Sequence, residues 1–192
     1  MTSASPAFLW ALRENLRANP IPIENLLLVV QLTLIAITMA TRRPPTRVTH
    51  TPLFWLLAFV ATYWAFFMAG FYQDGRALVP RWISVAVAVL GLIINIWARL
   101  SLGRNIGFVP AERQIVTTGA YGLVRHPIYT GLFVGFVADD LANFTAQNLA
   151  LDLAWVGLWA LRTFIEEGFL KQSPAYTHYM TQVRRRWIPG IA

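Results

Sequence analysis

Long runs of apolar residues, separated by short polar and proline-bearing stretches, fill the first half of the chain. The runs cover residues 21–40, 52–72 and 82–100, and Arg42 and Pro80 stand in the polar stretches between them. Each run is close to the roughly 20 residues with which an α-helix crosses about 30 Å of hydrocarbon. The pattern therefore predicts three transmembrane helices.

Two further apolar stretches in the second half are shorter or interrupted by polar residues. Residues 128–138 stop at Asp139, and residues 149–165 contain two charged positions. We interpret them as two more transmembrane helices that form a hairpin, with the turn within residues 143–148. The alternative is a re-entrant pair of helices that enters the bilayer without crossing it.

Shorter segments precede and follow the predicted spans. Phe8, Leu9, Leu12 and Leu16 recur at helical spacing opposite charged residues, which predicts a helix lying in the membrane interface. An extension of the first span is the alternative. The first residues lack the pattern of a cleaved signal peptide, so we expect none. After the hairpin, Pro174 is suited to open a last short helix.

The distribution of arginine and lysine favours five crossings. With five spans, eleven of these residues lie on one side of the membrane and four on the other, and Arg162 lies inside the last span. An even number of spans would divide this excess between the two sides. Because cytoplasmic loops carry the excess of positive charge, we predict an outside N-terminus and a cytosolic active site and C-terminus. The membrane we expect is a bacterial inner membrane.

Composition agrees with a membrane protein and excludes several classes of function. The 192 residues are 56% hydrophobic and 13% charged, whereas soluble domains carry roughly a quarter charged residues. The chain has no cysteine and three histidines far apart in sequence, so we expect no disulfide and no metal site. The net charge of +7 is ascribed to loop anchors and not to nucleic-acid binding, because no basic stripe alternates with exposed aromatic residues.

The predicted fold class is therefore an all-α, polytopic membrane helical bundle with about five transmembrane helices. We divide it into residues 1–100, with the interfacial helix and three spans, and residues 101–192, with the hairpin and a cytosolic cofactor pocket. The sequence does not indicate an oligomeric state.

Polar and ionisable residues concentrate in three places on the predicted cytosolic side. Residues 101–125 form a long connection with four glycines, residues 125–131 (Arg-His-Pro-Ile-Tyr-Thr-Gly) open the fourth span, and Arg162, Glu166 and Glu167 end the fifth. Because both hairpin helices rise about 1.5 Å per residue, the start of one lies opposite the end of the other. The glutamates would then face the Arg-His-Pro segment across one groove.

Simpler interpretations exist for each of these residues taken singly. Arg125, His126 and Tyr129 would serve as interface anchors, and Arg162 and Glu166 would pair within their helix. Taken together beside a glycine-rich loop, the residues favour a site that binds a charged small cofactor and aligns it with an amphiphilic substrate. The sequence contains no P-loop and no GxGxxG motif.

At these residues the second half of the chain resembles the isoprenylcysteine carboxyl methyltransferase family and its bacterial relatives, and also phospholipid N-methyltransferases. The resemblance covers about residues 102–189 and depends on the order and spacing of several motifs. These are Leu102-Gly103-Arg104-Asn105, residues 115–121 (Ile-Val-Thr-Thr-Gly-Ala-Tyr), residues 125–131, Glu166-Glu167, Leu170, Tyr176, Tyr179 and Arg186-Trp187-Ile188-Pro189.

The resemblance implies a methyltransferase that uses S-adenosylmethionine from the cytosol and a lipophilic acceptor from the bilayer, either isoprenylcysteine-carboxylate-like or lipid-like. The cofactor-binding residues that it implies are Val116, Gly119, Tyr121, Arg125, His126, Tyr129, Glu166 and Glu167. The catalytic residues that it implies are Arg104, Arg125 and Glu167, with an arginine orienting a carboxylate acceptor or a glutamate deprotonating an amine. We further predict that Glu167→Ala weakens cofactor binding without unfolding the protein.

Two departures from the family pattern lie where a substrate would dock. Residues 173–174 are Ser-Pro where the family has Phe-Gly, and residues 105–107 are Asn-Ile-Gly where it has Trp-Ser after the arginine. The natural acceptor therefore stays open.

Two other functions compete with methyl transfer. An NADPH-dependent membrane reductase of the sterol reductase type resembles the same region, but its Arg-His-Pro is followed by Asn-Tyr and later Gly-Glu. This chain has Ile128-Tyr129 and Gly131-Leu132 instead. An inactive membrane scaffold that kept the fold is the other alternative.

Overall fold

The structure is a computed structural model that describes residues 23–45, 47–107, 111–112 and 114–188. Within these residues the chain is mostly α-helical, as predicted. The six helices are α1 (Ile23–Ala40), α2 (Pro52–Met68), α3 (Arg81–Leu102), α4 (Pro127–Ala142), α5 (Ala146–Leu170) and α6 (Pro174–Gln182). The predicted interfacial helix lies outside the described residues.

One short pairing of strands departs from the predicted all-α class. Strand β1 (Arg47–Val48) pairs antiparallel with strand β2 (Ala111–Glu112), so that Arg47 lies opposite Glu112 and Val48 opposite Ala111. The pairing joins the loop after α1 to the long connection after α3.

Proline residues and a threonine set where several helices begin. Pro52, Pro127 and Pro174 each occupy the first turn of their helix, where the N–H that proline lacks has no partner within the helix. The Thr145 side chain accepts a hydrogen bond from the Asn148 N–H at 2.9 Å and caps α5. The predicted helix opening at Pro174 is confirmed.

The outer surface of the helices is strongly apolar. Among the described residues, one helix (Arg81–Asn105, with its 3-10 extension) is long and apolar enough to cross a bilayer, and Pro52–Trp64 is a shorter apolar helix. Large apolar side chains point outward along the longer of these helices, including Trp82 and Leu100, which are 72% and 74% exposed. Such a surface suits contact with lipid better than contact with water.

Helices α3 and α4 approach each other closely at two glycines. A Cβ atom placed on Gly131 would lie 2.8 Å from the carbonyl oxygen of Gly91 and 2.9 Å from the backbone nitrogen of Asn95. A Cβ on Gly91 would in turn lie 2.9 Å from the Gly131 carbonyl oxygen. Small residues of this kind let helix backbones touch in membrane proteins. α4 accordingly packs more extensively against α3 than against α5.

The predicted pair of helices with its turn within residues 143–148 is confirmed, because α4 ends at Ala142 and α5 begins at Ala146, whereas the crossing of a membrane by these two helices stays a prediction. The turn of this hairpin is tied to the loop before α3. Arg76 and Phe144 exchange two backbone hydrogen bonds, at 3.2 and 2.9 Å. At the other end of the hairpin, α4 and α5 bring the Arg-His-Pro segment beside the two glutamates.

Residues 183–187, which follow α6, cross the open end of the hairpin, and we name them the closing segment. The Arg125 and His126 N–H groups donate to the carbonyl oxygens of Arg185 and Arg186, at 2.9 and 2.8 Å. The indole N–H of Trp187 donates to the Thr163 hydroxyl of α5 at 3.2 Å. The closing segment therefore fastens the start of α4 to the end of α5.

Candidate active site

A buried carboxylate, Glu167, stands at the centre of the end of the hairpin that lies opposite its turn. It is 1% exposed, and its Oε1 accepts hydrogen bonds from Arg125 Nε at 2.7 Å and from His126 Nε2 at 3.2 Å. Its Oε2 accepts from Arg186 Nε at 3.1 Å. The predicted approach of Glu167 to the Arg-His-Pro segment is therefore present in the structure.

The surroundings of Glu167 keep it ionised. It lies two residues beyond the predicted apolar span of residues 149–165. Burial raises the pKa of its carboxyl, but the hydrogen bonds from His126 and Arg125 outweigh burial and lower the pKa to about 2. The carboxylate is therefore charged at neutral pH and is balanced by the two arginines that contact it.

Arg125 is held from several directions at once. Besides Glu167, its Nη1 donates to the carbonyl oxygens of Val183 and Arg184, at 2.9 and 2.6 Å. The side chain is thus fixed between α5 and the closing segment. These hydrogen bonds fix the Arg125 side chain in one position at the edge of the site.

Glu166 and Tyr129 form a second polar contact beside the first. The Tyr129 hydroxyl donates to Glu166 Oε2 at 2.9 Å. The Tyr129 ring stacks on the His126 ring, with centroids 5.4 Å apart, and packs against Trp159 on its other side at 4.9 Å. The Glu166 carboxylate is therefore oriented by a buried aromatic group.

Helix α6 supplies two tyrosines to the same region. The Tyr179 hydroxyl donates to the Tyr121 carbonyl oxygen at 2.7 Å. Burial raises the pKa of Tyr176 and of Tyr179 well above the usual range, so both hydroxyls are neutral. Both tyrosines belong to the family motifs, and in this structure they pack in the core and line the site with neutral hydroxyl groups.

These groups border a cavity of about 600 Å³ that has two chemically different ends. Residues of the loops and helix ends around Glu167 line its polar end: Asn105, Gln114, Val116, Tyr121, Arg125, His126, Tyr129, Glu166, Tyr176 and Tyr179. Side chains within the apolar helices line its apolar end: Leu32, Ile35, Met39, Leu132 and Trp155. The cavity is large enough for a small-molecule ligand, since such sites typically measure about 300–1,000 Å³.

Six of the eight predicted cofactor-binding residues line this cavity, namely Val116, Tyr121, Arg125, His126, Tyr129 and Glu166. Gly119 and Glu167 do not line it. Gly119 has a φ of +62°, a conformation that favours glycine, and a Cβ there would collide with the Ser101 hydroxyl. Glu167 lies behind Arg125 and His126 and positions them.

Arg104, predicted to be catalytic, does not reach the cavity. Its side chain is exposed, and its Nε donates to the Thr41 carbonyl oxygen at 2.8 Å, while its own carbonyl accepts from the Arg43 N–H at 2.7 Å. Its contacts join the end of α1 to the turn after α3. The geometry therefore gives Arg104 a structural position outside the cavity.

Arg99 and Trp159 also line the cavity, although neither belongs to the predicted site. Arg99 is 7% exposed within α3, and the signal that could have found it is an arginine inside an apolar helix. The Trp159 side chain is 8% exposed, and its Nε1 has no hydrogen-bond partner among the described residues. No sequence pattern distinguishes this tryptophan from an interfacial one.

Comparisons with known proteins agree on a single type of reaction. A family model described as phospholipid methyltransferase matches residues 79–176. A protein-S-isoprenylcysteine O-methyltransferase from Tribolium castaneum is 26% identical over 147 residues, which cover 71% of this chain and 52% of that relative. The chain thus spans about half the length of the curated relative that it matches.

Proposed function

Because the chain belongs to the phospholipid methyltransferase family, we propose that it is an integral membrane enzyme that transfers a methyl group from S-adenosylmethionine to a lipophilic acceptor. The observation that supports this proposal most strongly is the cavity in which a polar end and an apolar end meet. One site of this kind can hold a charged cofactor next to an amphiphile. A nicotinamide-dependent reductase has no comparable support from the comparisons, both of which name methyltransferases.

The polar end offers groups that match the proposed cofactor. Glu166 is an anion suited to an ammonium group or to ribose hydroxyls, and Asn105 Oδ1 is a buried acceptor with no partner among the described residues. Buried acceptors of this kind need a hydrogen-bond donor, and a ligand can supply it. The Tyr176 ring, which lines the cavity, offers aromatic surface for an adenine or for the sulfonium.

S-adenosylmethionine, when bound, supplies a methyl group that is already activated by its attachment to a positively charged sulfur. The chain's own residues then need to orient the two reactants and to exclude water. Arg125 and His126, held by Glu167, give the polar end a fixed shape. Tyr129 and Trp159, whose rings pack at a tilt with centroids 4.9 Å apart, form an apolar part of the wall between α4 and α5.

We expect five membrane crossings, formed by α1 to α5, with the polar end of the cavity at the cytosolic face. The chain contains no cysteine, so single cysteines can report the side of the membrane directly. Ala146→Cys, exposed at the start of α5, should react with a membrane-impermeant maleimide from outside, and Lys171→Cys, exposed after its end, only from the cytosolic side. Labelling of both positions from the same side would contradict the five-span arrangement and favour a re-entrant hairpin.

Cofactor binding is the direct test of the proposed function. The purified protein in detergent is titrated calorimetrically with S-adenosylhomocysteine and with S-adenosylmethionine, and we expect saturable binding of both at one site. The matched control is Arg104→Gln, which changes an exposed arginine outside the cavity and should bind as the wild type does. Absence of binding by either ligand would refute the proposal, and displacement by NADPH would favour a reductase.

A further inference from the structure

Arg99 is a buried cation that faces the cavity without a carboxylate of its own. Its Nε donates to Asn95 Oδ1 at 2.6 Å and its Nη1 to the Thr38 hydroxyl at 3.3 Å, and both partners are neutral. Among the described residues no carboxylate pairs with it. A buried, unbalanced guanidinium at a membrane depth is unfavourable, so a bound anion would stabilise it.

Among the described residues around the cavity, positively charged side chains outnumber negatively charged ones. Of the described residues that line the cavity, Arg99, Arg125 and Arg162 are cationic arginines and Glu166 is the carboxylate. Glu167, behind the wall, balances Arg125. Glu167 is also shared with Arg186, so among the described residues the arginines at the cavity outnumber the carboxylates. S-adenosylmethionine would add to the excess, because its ammonium and sulfonium outnumber its carboxylate.

Arg99 lies on the side of the cavity that α1 and α3 form. It contacts Thr38 of α1, and Ile35 and Met39, on either side of Thr38 in that helix, both line the cavity. Asn95, which holds Arg99, also donates from Nδ2 to the Ile128 carbonyl oxygen of α4 at 3.2 Å. The guanidinium is thus fixed between α1 and α4, whereas the contact between Tyr129 and Glu166 joins α4 to α5.

The Arg99 guanidinium has N–H donors to spare for a ligand. Its two hydrogen bonds, to Asn95 Oδ1 and to the Thr38 hydroxyl, use only part of the donor set that a guanidinium carries. An oxyanion carries several lone pairs and satisfies such a donor set.

We propose that Arg99, held by Asn95 and Thr38, binds the acidic group of the methyl acceptor and makes the enzyme select amphiphiles that carry a carboxylate or a phosphate beside their apolar chain. This inference rests on the proposed function and assigns a specificity-determining residue to the same cavity. It places the acceptor's acidic group near α1, with the apolar chain directed along Leu32 and Ile35. Arg104, which the sequence suggested for this task, lies outside the cavity.

The test compares acids with neutral analogues of the same chain in the protein saturated with S-adenosylhomocysteine. N-acetyl-S-farnesylcysteine is compared with its carboxamide, and lysophosphatidylethanolamine with a monoacylglycerol, by calorimetric titration in detergent. A hydrogen-bonded charge pair in a desolvated site should favour at least one acid by about tenfold or more. The pair that shows the preference identifies a carboxylate or a phosphate as the natural acidic group. No preference for either acid would overturn the proposal.

Variants of Arg99 test whether this residue causes the preference for the acid. Arg99→Gln should remove the preference for the acid while the affinity for S-adenosylhomocysteine stays within about twofold. The matched control Arg104→Gln should keep both. If Arg99→Gln does not fold, Arg99→Lys, which keeps the charge but not the planar fork, should reduce the preference about threefold or more. A preserved acid preference in the variant, or a loss of S-adenosylhomocysteine affinity instead, would overturn the assignment. Failure of the wild type to bind S-adenosylhomocysteine would count against the proposed function itself.

Discussion

Replacing Glu167 with alanine should abolish cofactor binding and destabilise the protein by about 3–5 kcal/mol, the usual effect of breaking a buried charge network. The carboxylate is 1% exposed and contacts Arg125, His126 and Arg186. Its removal leaves two guanidinium groups without their anion and frees the Arg-His-Pro segment. Thermal unfolding in detergent, followed by tryptophan fluorescence, and titration with S-adenosylhomocysteine measure the two effects.

The neighbouring Glu166 provides the matched control, since it is half-buried and accepts a hydrogen bond from Tyr129 at the cavity wall. Glu166→Ala should weaken binding with a much smaller loss of stability. The sequence alone led us to expect that Glu167→Ala leaves the fold intact. That expectation suits Glu166 better, because the deep burial of Glu167 could not be seen in the sequence. Equal thermal stability of the Glu167→Ala variant and the wild type would contradict the assigned network.

Gly131→Leu should be the second strongly disruptive change, because α3 and α4 touch through their backbones at this position. A Cβ at Gly131 would lie 2.8 Å from the Gly91 carbonyl oxygen and 2.9 Å from the Asn95 nitrogen. Backbone atoms of a packed helix cannot move aside as a flexible side chain can. We expect a loss of stability of about 3 kcal/mol or more, the upper part of the range for overpacked sites. The same displacement would move Asn95 and with it Arg99.

Gly135, one turn further along α4, separates this effect from a general intolerance of the helix. A Cβ at Gly135 would meet no atom within 4 Å. Gly135→Ala should therefore change the midpoint of thermal unfolding little, whereas Gly131→Ala, whose single Cβ already meets backbone atoms, should lower it by several degrees. Similar midpoints for the two variants would show that α3 and α4 are further apart than described.

The helices and the hairpin could be predicted because apolar residues have to occur in long runs wherever a helix faces lipid. The opposition of His126 and Glu167 followed from the turn near residue 144 and the equal rise of two helices. These are local rules, and they place helix ends to within a few residues. The family motifs then selected six residues that line the cavity.

The direction of individual side chains could not be predicted in the same way. Arg104 and Arg99 are five positions apart in sequence, yet one points to Thr41 and the other into the cavity. The chain turns between them at Gly103, whose φ is +57°. This turn ends the helical repeat, so helical spacing from α3 no longer gives the direction of Arg104.

The burial of Glu167 depends on residues that lie far from it in the sequence. Arg186 and the carbonyl groups that hold Arg125 belong to the closing segment, which follows α6. Without that segment, the end of α5 would look like an ordinary charged helix end. Two-residue pairings such as β1 with β2 are likewise invisible in sequence, because tertiary contacts decide them.

The closing segment also sets an order of events during biosynthesis. Residues 183–187 leave the ribosome after both hairpin helices, so the guanidinium of Arg186 and the indole of Trp187 reach Glu167 and Thr163 only at a late stage. Nascent protein lacking them carries a half-built ring of charges at the bilayer edge. An affinity tag or fluorescent reporter fused directly behind Ile188 would hang beside this ring and hinder its closure. Purification handles for this protein therefore belong at the opposite end of the polypeptide.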